Sequence, residues 1–70
     1  MFNKFKIGQS VYVQGYGKND NKYYSRTNGK VIEKDIFFRD YLIEFKDGTN
    51  DWFDEEYLTP IRNYKKRRNE

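Results

Sequence analysis

Four carboxylates crowd one short run of this chain, Asp51-Trp52-Phe53-Asp54-Glu55-Glu56. Neighbouring carboxylates can divide acid and base roles when an enclosing pocket drives their pKa values apart. A chain of 70 residues has little interior from which to build such a pocket, so the cluster reads as a solvated acidic rim. The same oxygens would suit Mg²⁺ or Ca²⁺, but the spacing of an EF-hand loop is missing. The chain contains no histidine and no cysteine. Nucleophilic chemistry would therefore fall to Ser10, Ser25, a few threonines and tyrosines, or lysines, and none stands at a triad spacing. Gly15-Tyr16-Gly17 is too slight to cradle a phosphate. The expectation is a protein with no catalytic residue, no metal and no cofactor.

Two sets of residues could instead bind. The first is basic and aromatic: Tyr16, Lys18, Lys22, Tyr23, Tyr24 and Arg26, with Lys65, Lys66, Arg67 and Arg68 near the end of the chain. Rings that stack on bases and cations that meet phosphates are what sequence-tolerant binding of single strands requires. The second set is apolar: Ile32, Leu42 and Trp52, with Tyr12. Placed outward on adjacent strands, these would form an exposed stripe of the kind that marks an interaction site, with tryptophan as a favoured anchor.

The strands that must carry these residues are short. Val11 and Val13 alternate with Tyr12 in a strand over 10–14. Residues 15–28, rich in Gly, Asn and Lys, read as a long loop, a kind of segment that often carries function. Residues 29–34 form the second strand, with Val31 inward. Residues 35–40, Asp-Ile-Phe-Phe-Arg-Asp, fit either a continuation of that strand or an apolar loop. Tyr41, Ile43 and Phe45 show the period of a half-buried strand, and Asp47-Gly48 is a strong hairpin signal. Glu55-Glu56-Tyr57 suits one turn of 3₁₀ helix. Leu58 then enters the core, and a last strand over 60–63 closes the domain.

Loop parity decides where Trp52 points. A two-residue turn would pair Ile43 with Trp52 and bury the indole. A three-residue loop, with Gly48 in the left-handed position, pairs Tyr41 with Phe53 and sends Trp52 outward beside Leu42. One residue of register exchanges the faces. The second arrangement is the expected one.

At this size one domain is expected, its core worth only ~3–5 kcal/mol. Aromatic residues make up 20% of the chain and compensate for a hydrophobic content of 36%, because large rings bury much area each. Without cysteine there is no disulfide or zinc staple. No apolar run approaches the ~20 residues of a membrane span, and the start lacks the apolar segment of a signal peptide. A soluble intracellular protein with no membrane partner is expected. The net charge of +3 conceals three blocks: +5 over residues 1–34, −6 over 35–61 and +4 over 62–70. Such separation can orient a partner.

The order of elements resembles an SH3-like barrel of the Tudor and KOW type. Ser10-Val11-Tyr12-Val13-Gln14-Gly15 followed by Asn28-Gly29-Lys30-Val31-Ile32-Glu33-Lys34 has the shape of a KOW segment. The second block, the strand pair after it and Tyr57-Leu58-Thr59-Pro60-Ile61 are similar to the YorP-like family of small prophage proteins. The resemblance covers roughly residues 26–61 and rests on positions that build the fold. It implies a phage or prophage origin and action in the host cytoplasm. The proline-binding aromatic motif of signalling SH3 domains is not recognisable, and the long loop is basic where theirs are acidic.

The expected architecture is all-β: a small five-stranded SH3-like barrel over 1–62, with a one-turn 3₁₀ helix before the last strand and a basic tail over 63–70. The expected function is a non-catalytic binding module whose partner is a host protein, held through Ile32, Leu42, Trp52 and Tyr12. The alternative is nucleic-acid binding through the basic aromatic loop and the tail.

Overall fold

Alternation of apolar and polar side chains builds the first strand, β1, Ser10–Tyr16, with Val11 and Val13 fully buried and Tyr12 half-buried on the other face. In the computed structural model, which describes residues 4–61, four further strands follow: β2 (Tyr23–Asp35), β3 (Asp40–Glu44), β4 (Asn50–Asp54) and β5 (Leu58–Pro60). A 3₁₀ turn, Glu55–Tyr57, separates β4 from β5, with the Asp54 carboxylate capping it by accepting the Glu56 N–H. All ladders are antiparallel, and the order across the sheet is β4-β3-β2-β1-β5.

The 3₁₀ turn carries the chain from one edge of the sheet to the other, since β4 and β5 are the two outer strands. Four residue steps from Asp54 to Leu58 reach at most ~14 Å. Four inter-strand gaps of a flat sheet would need roughly 19 Å. The sheet must therefore curl. That curl gives the inner face something to pack against without a second layer. Phe5, Val11, Val13, Val31, Tyr41, Ile43, Phe45, Phe53 and Leu58 form one buried cluster. Phe5 meets Tyr41 edge to face at 5.3 Å, and the Tyr41 hydroxyl accepts the N–H groups of Lys4 and Phe5. Among the described residues no ladder joins β4 to β5, so the sheet curls without closing through hydrogen bonds.

The hairpin between β3 and β4 has the expected register. Tyr41 pairs with Phe53 and Leu42 with Trp52. The Phe45 N–H donates to the Thr49 carbonyl and the Gly48 N–H to the Phe45 carbonyl, which leaves Lys46, Asp47 and Gly48 as the loop. Gly48 stands at φ +91°, in the left-handed region that the bulge demands. Phe53 is buried, and Trp52 faces outward.

Two expectations are corrected. The long loop over 15–28 is instead a hairpin: β1 continues to Tyr16, β2 begins at Tyr23, and Gly15 pairs with Tyr24 and Tyr16 with Tyr23. Backbone ladder bonds hold these residues although their side chains show no apolar alternation. Positive φ at Asn21 and Arg26 provides the turn and the irregularity. The last strand starts at Leu58, two residues before its expected position, because Val13 pairs with Leu58 and Val11 with Pro60. Of the two readings open for residues 35–40, the apolar loop is the one observed, over residues 36–39. They form the tight end of the β2–β3 hairpin, with Asp35 paired to Asp40. Phe2, Arg62 and the tail residues Lys65, Lys66, Arg67 and Arg68 lie outside the described residues.

Candidate protein-binding surface

Asp51 sits on β4 opposite Ile43, on the inward-facing register shared with Phe53. It is only 1% exposed, and its carboxylate accepts the N–H groups of Asn19 at 2.9 Å and Asp20 at 3.2 Å. Its own neighbour Trp52 donates a third N–H at 2.7 Å. Burial alone would raise the Asp51 pKa. The backbone donors of Asn19 and Asp20, foremost among the groups opposing that effect, hold it below the ordinary 3.8. The Lys18 N–H donates to the Trp52 carbonyl at 2.9 Å, so the β1–β2 turn is fastened along the outer edge of β4. Gly17 is required here, because a Cβ would overlap the Asp51 carboxylate. The residue expected on an acidic rim is thus a structural latch. The signal was available: if Phe53 points inward, strand parity points Asp51 inward too.

This latch changes the meaning of the basic aromatic set. The Lys18 ammonium is 2.9 Å from the Asp40 carboxylate. That hydrogen bond, more than the field of Asp40 and Asp54, lifts the Lys18 pKa above 10.5. Lys22 lies 5.1 Å from the centre of the Tyr24 ring, and Arg26 lies 4.6 Å from that of Tyr12. Tyr24 stacks on Phe45 at 4.6 Å with ring planes 4° apart, and its desolvated phenol has a raised pKa. Tyr24 is therefore packed against the core on one side, with part of its ring still at the surface. Tyr16 and Tyr23 remain about half exposed. They meet each other edge to face at 5.0 Å, with Gln14 hydrogen-bonded to the Tyr23 hydroxyl.

The apolar set is only partly brought together. Leu42 faces Trp52 across β3 and β4. Ile32 is the extra residue of a bulge beside Glu33, which pairs with Leu42. All three are half-buried rather than exposed, and Glu33 rather than Ile32 stands opposite Leu42. Tyr12 does not join them. It pairs with Asn28, four residues from Ile32 along β2, or ~13 Å at strand rise, and Arg26 covers its ring.

The strongly exposed apolar surface lies at residues that neither expected binding set included. Ile36, Phe37 and Phe38, at the tip between β2 and β3, are 60%, 83% and 66% exposed. The tip is well ordered by its own chemistry. The Asp35 carboxylate accepts the N–H groups of both Phe37 and Phe38, Arg39 takes φ +61°, and its carbonyl accepts the Glu55 N–H. The two phenyl rings pack edge to face at 4.9 Å. An acidic collar flanks this knuckle in the fold: Asp35 and Asp40 pair at its base, Asp40 also pairs with Asp54 across β3 and β4, and Glu55 and Glu56 follow on the 3₁₀ segment.

Within the carboxylate cluster, Asp51 is occupied by backbone donors and Asp54 by its cap. Among the described residues no group of three or more His, Cys, Asp or Glu side chains converges on a metal-sized site. No helix among them is long and apolar enough to cross a membrane. The chain matches no protein-family model, no curated protein and no solved structure.

Proposed function

We propose that this protein is a non-catalytic protein-binding module on an SH3-like barrel, of phage or prophage origin, which engages a host protein in the cytoplasm. The barrel reading is supported by the strand order β4-β3-β2-β1-β5 and the 3₁₀ turn before the last strand. The phage or prophage origin rests on the YorP-like resemblance of residues 26–61. The observation that carries the binding reading is the knuckle: three consecutive large apolar side chains held in solvent by a rigid turn. Such exposure has no folding benefit and marks contact surfaces. The half-buried Ile32, Leu42 and Trp52 add apolar area on the sheet.

The test is affinity capture from host lysate with the parent protein and a Phe37→Ser/Phe38→Ser variant, each with and without nuclease. The expected result is a captured protein, resistant to nuclease and absent with the variant. Capture that survives the double substitution would refute the assignment.

Nucleic-acid binding has one observation in its favour, the exposed pair Tyr16 and Tyr23 with Lys22 close by. Titration with labelled oligonucleotides at two salt concentrations separates the readings. Tight, steeply salt-dependent binding would favour nucleic acid. Absence of binding at low salt would eliminate it.

A further inference from the structure

The end of the molecule away from the knuckle carries the complementary feature. Two adjoining hollows of about 360 and 510 Å³ share Asn28, Phe45 and Lys46 in their walls. The floor is aromatic, formed by Phe45 and the Tyr24 ring stacked on it. The rim carries Lys22, Lys30 and Lys46. Two acids are also present. The Asp47 carboxylate is turned onto the N–H and hydroxyl of Thr49 and stays charged, so the rim's three lysines stand against two acids. Glu44 pairs with Lys30 across the ladder. The rim thus keeps a positive excess around an apolar floor.

From these features we infer that the knuckle's partner includes a second copy of this chain, whose lysine-rimmed aromatic groove receives Phe37 and Phe38 while the carboxylate collar meets the lysines. This rests on the knuckle being a contact surface, as proposed above, and gives it a second occupant that would compete with a host protein. Charge complementarity selects it: the acids Asp35, Asp40, Asp54, Glu55 and Glu56 beside the plug outnumber the cations Lys18 and Arg39 at that end, which disfavours an anionic lipid surface or a phosphate backbone and favours a basic rim. One copy cannot satisfy itself. The knuckle and the groove lie at opposite ends of the five-residue strand β3, ~17 Å apart at strand rise. Docking is therefore head to tail. Such a heterologous contact leaves one free plug and one free groove at the ends of every assembly, so it builds rings or open filaments.

Sedimentation velocity over a range of protein and salt concentrations tests this directly. The parent protein is expected to form larger species as its concentration rises, and to lose them at high salt. Phe37→Asp removes the plug, and Lys46→Glu reverses the rim. Both side chains are exposed, and unchanged urea midpoints would confirm an intact fold. Each variant alone should associate at least about tenfold more weakly. Mixed together, they should form a discrete one-to-one dimer, because one retains the groove and the other retains the plug. Phe38→Asp with Lys22→Glu repeats the design from independent positions. A parent protein that stays monomeric at its solubility limit would overturn the inference, as would association that survives either substitution. So would variants that fail to re-associate when mixed. A monomer that still captures a host protein through Phe37 would overturn self-docking alone and leave the binding role standing. A monomer without such capture would overturn both.

Discussion

Replacing Asp51 with alanine tests the central physical claim about this fold. The side chain is 1% exposed and satisfies the N–H groups of Asn19 and Asp20 on a turn more than thirty residues away in sequence. Hydrogen bonds to a charged acceptor contribute ~1.5–3 kcal/mol each, and buried donors left unpaired cost ~1–3 kcal/mol. Asn19 and Asp20 are at the surface, so water recovers part of that loss. About 2–3 kcal/mol in total is the expected cost, against ~3–5 kcal/mol for a domain of this size. With a urea m-value of ~1 kcal/mol/M, the midpoint should fall by about 2–3 M. Trp52 is the only tryptophan, half-buried and adjacent to the latch, so its emission reports the transition. The pH dependence gives a second, independent reading. A carboxylate whose folded pKa is depressed contributes stability that is fully present above its ordinary 3.8 and is lost as pH falls through the folded value. Asp51→Asn should therefore flatten the acid limb of the stability curve relative to the parent. An Asp51→Ala midpoint equal to the parent's, or an unchanged acid limb in Asp51→Asn, would show that the carboxylate does not pin the turn.

Further outcomes follow from the register and the close approaches. Phe53→Ala should cost ~3–5 kcal/mol by cavity formation, whereas Trp52→Ala, on the outer face, should leave a folded protein. Comparable urea midpoints for the two would contradict the pairing of Tyr41 with Phe53. Gly15→Ala should destabilise by more than ~1 kcal/mol, because its Cβ would overlap the Tyr57 ring and φ is +154°; a neutral midpoint would refute that contact. The ion pair between Lys18 and Asp40 should show at most ~1 kcal/mol of coupling in a double-mutant cycle. Because the Lys18 pKa is raised, that coupling should be complete below pH 10.5 and vanish as pH rises through the folded value. Coupling that persists unchanged in strong alkali would argue against it.

The sequence revealed the sheet wherever side chains alternate against a core. Val11, Val13, Tyr41, Ile43 and Phe53 were all legible that way, and the bulge position of Gly48 settled the loop length. It concealed structure wherever the backbone alone does the holding. Residues 23–28 pair as strand through ladder bonds while Ser25 and Arg26 stay in water, so no apolar period betrays them. The knuckle was hidden for the opposite reason. Ile36, Phe37 and Phe38 look like core residues, and the turn that exposes them uses Arg39 at positive φ where glycine or asparagine is usual. Asp51 was misjudged because its acidic neighbours suggested a rim, while its strand parity with Phe53 already placed it inside.

The three-residue passage from β4 to β5 has a consequence for how the molecule opens. The ladder joining β1 to β5 links Val11 to Pro60 and Val13 to Leu58, so its loop-closure entropy is larger than that of the three hairpins built from neighbouring strands. The sheet has to be bent before Leu58 can reach Val13. β5 is therefore the last strand to dock and the first to leave. In hydrogen exchange, the amides shared by β1 and β5 should lose protection at a lower opening free energy than those between β2, β3 and β4. Transient release of β5 would expose the edge of β1 to pairing with another strand.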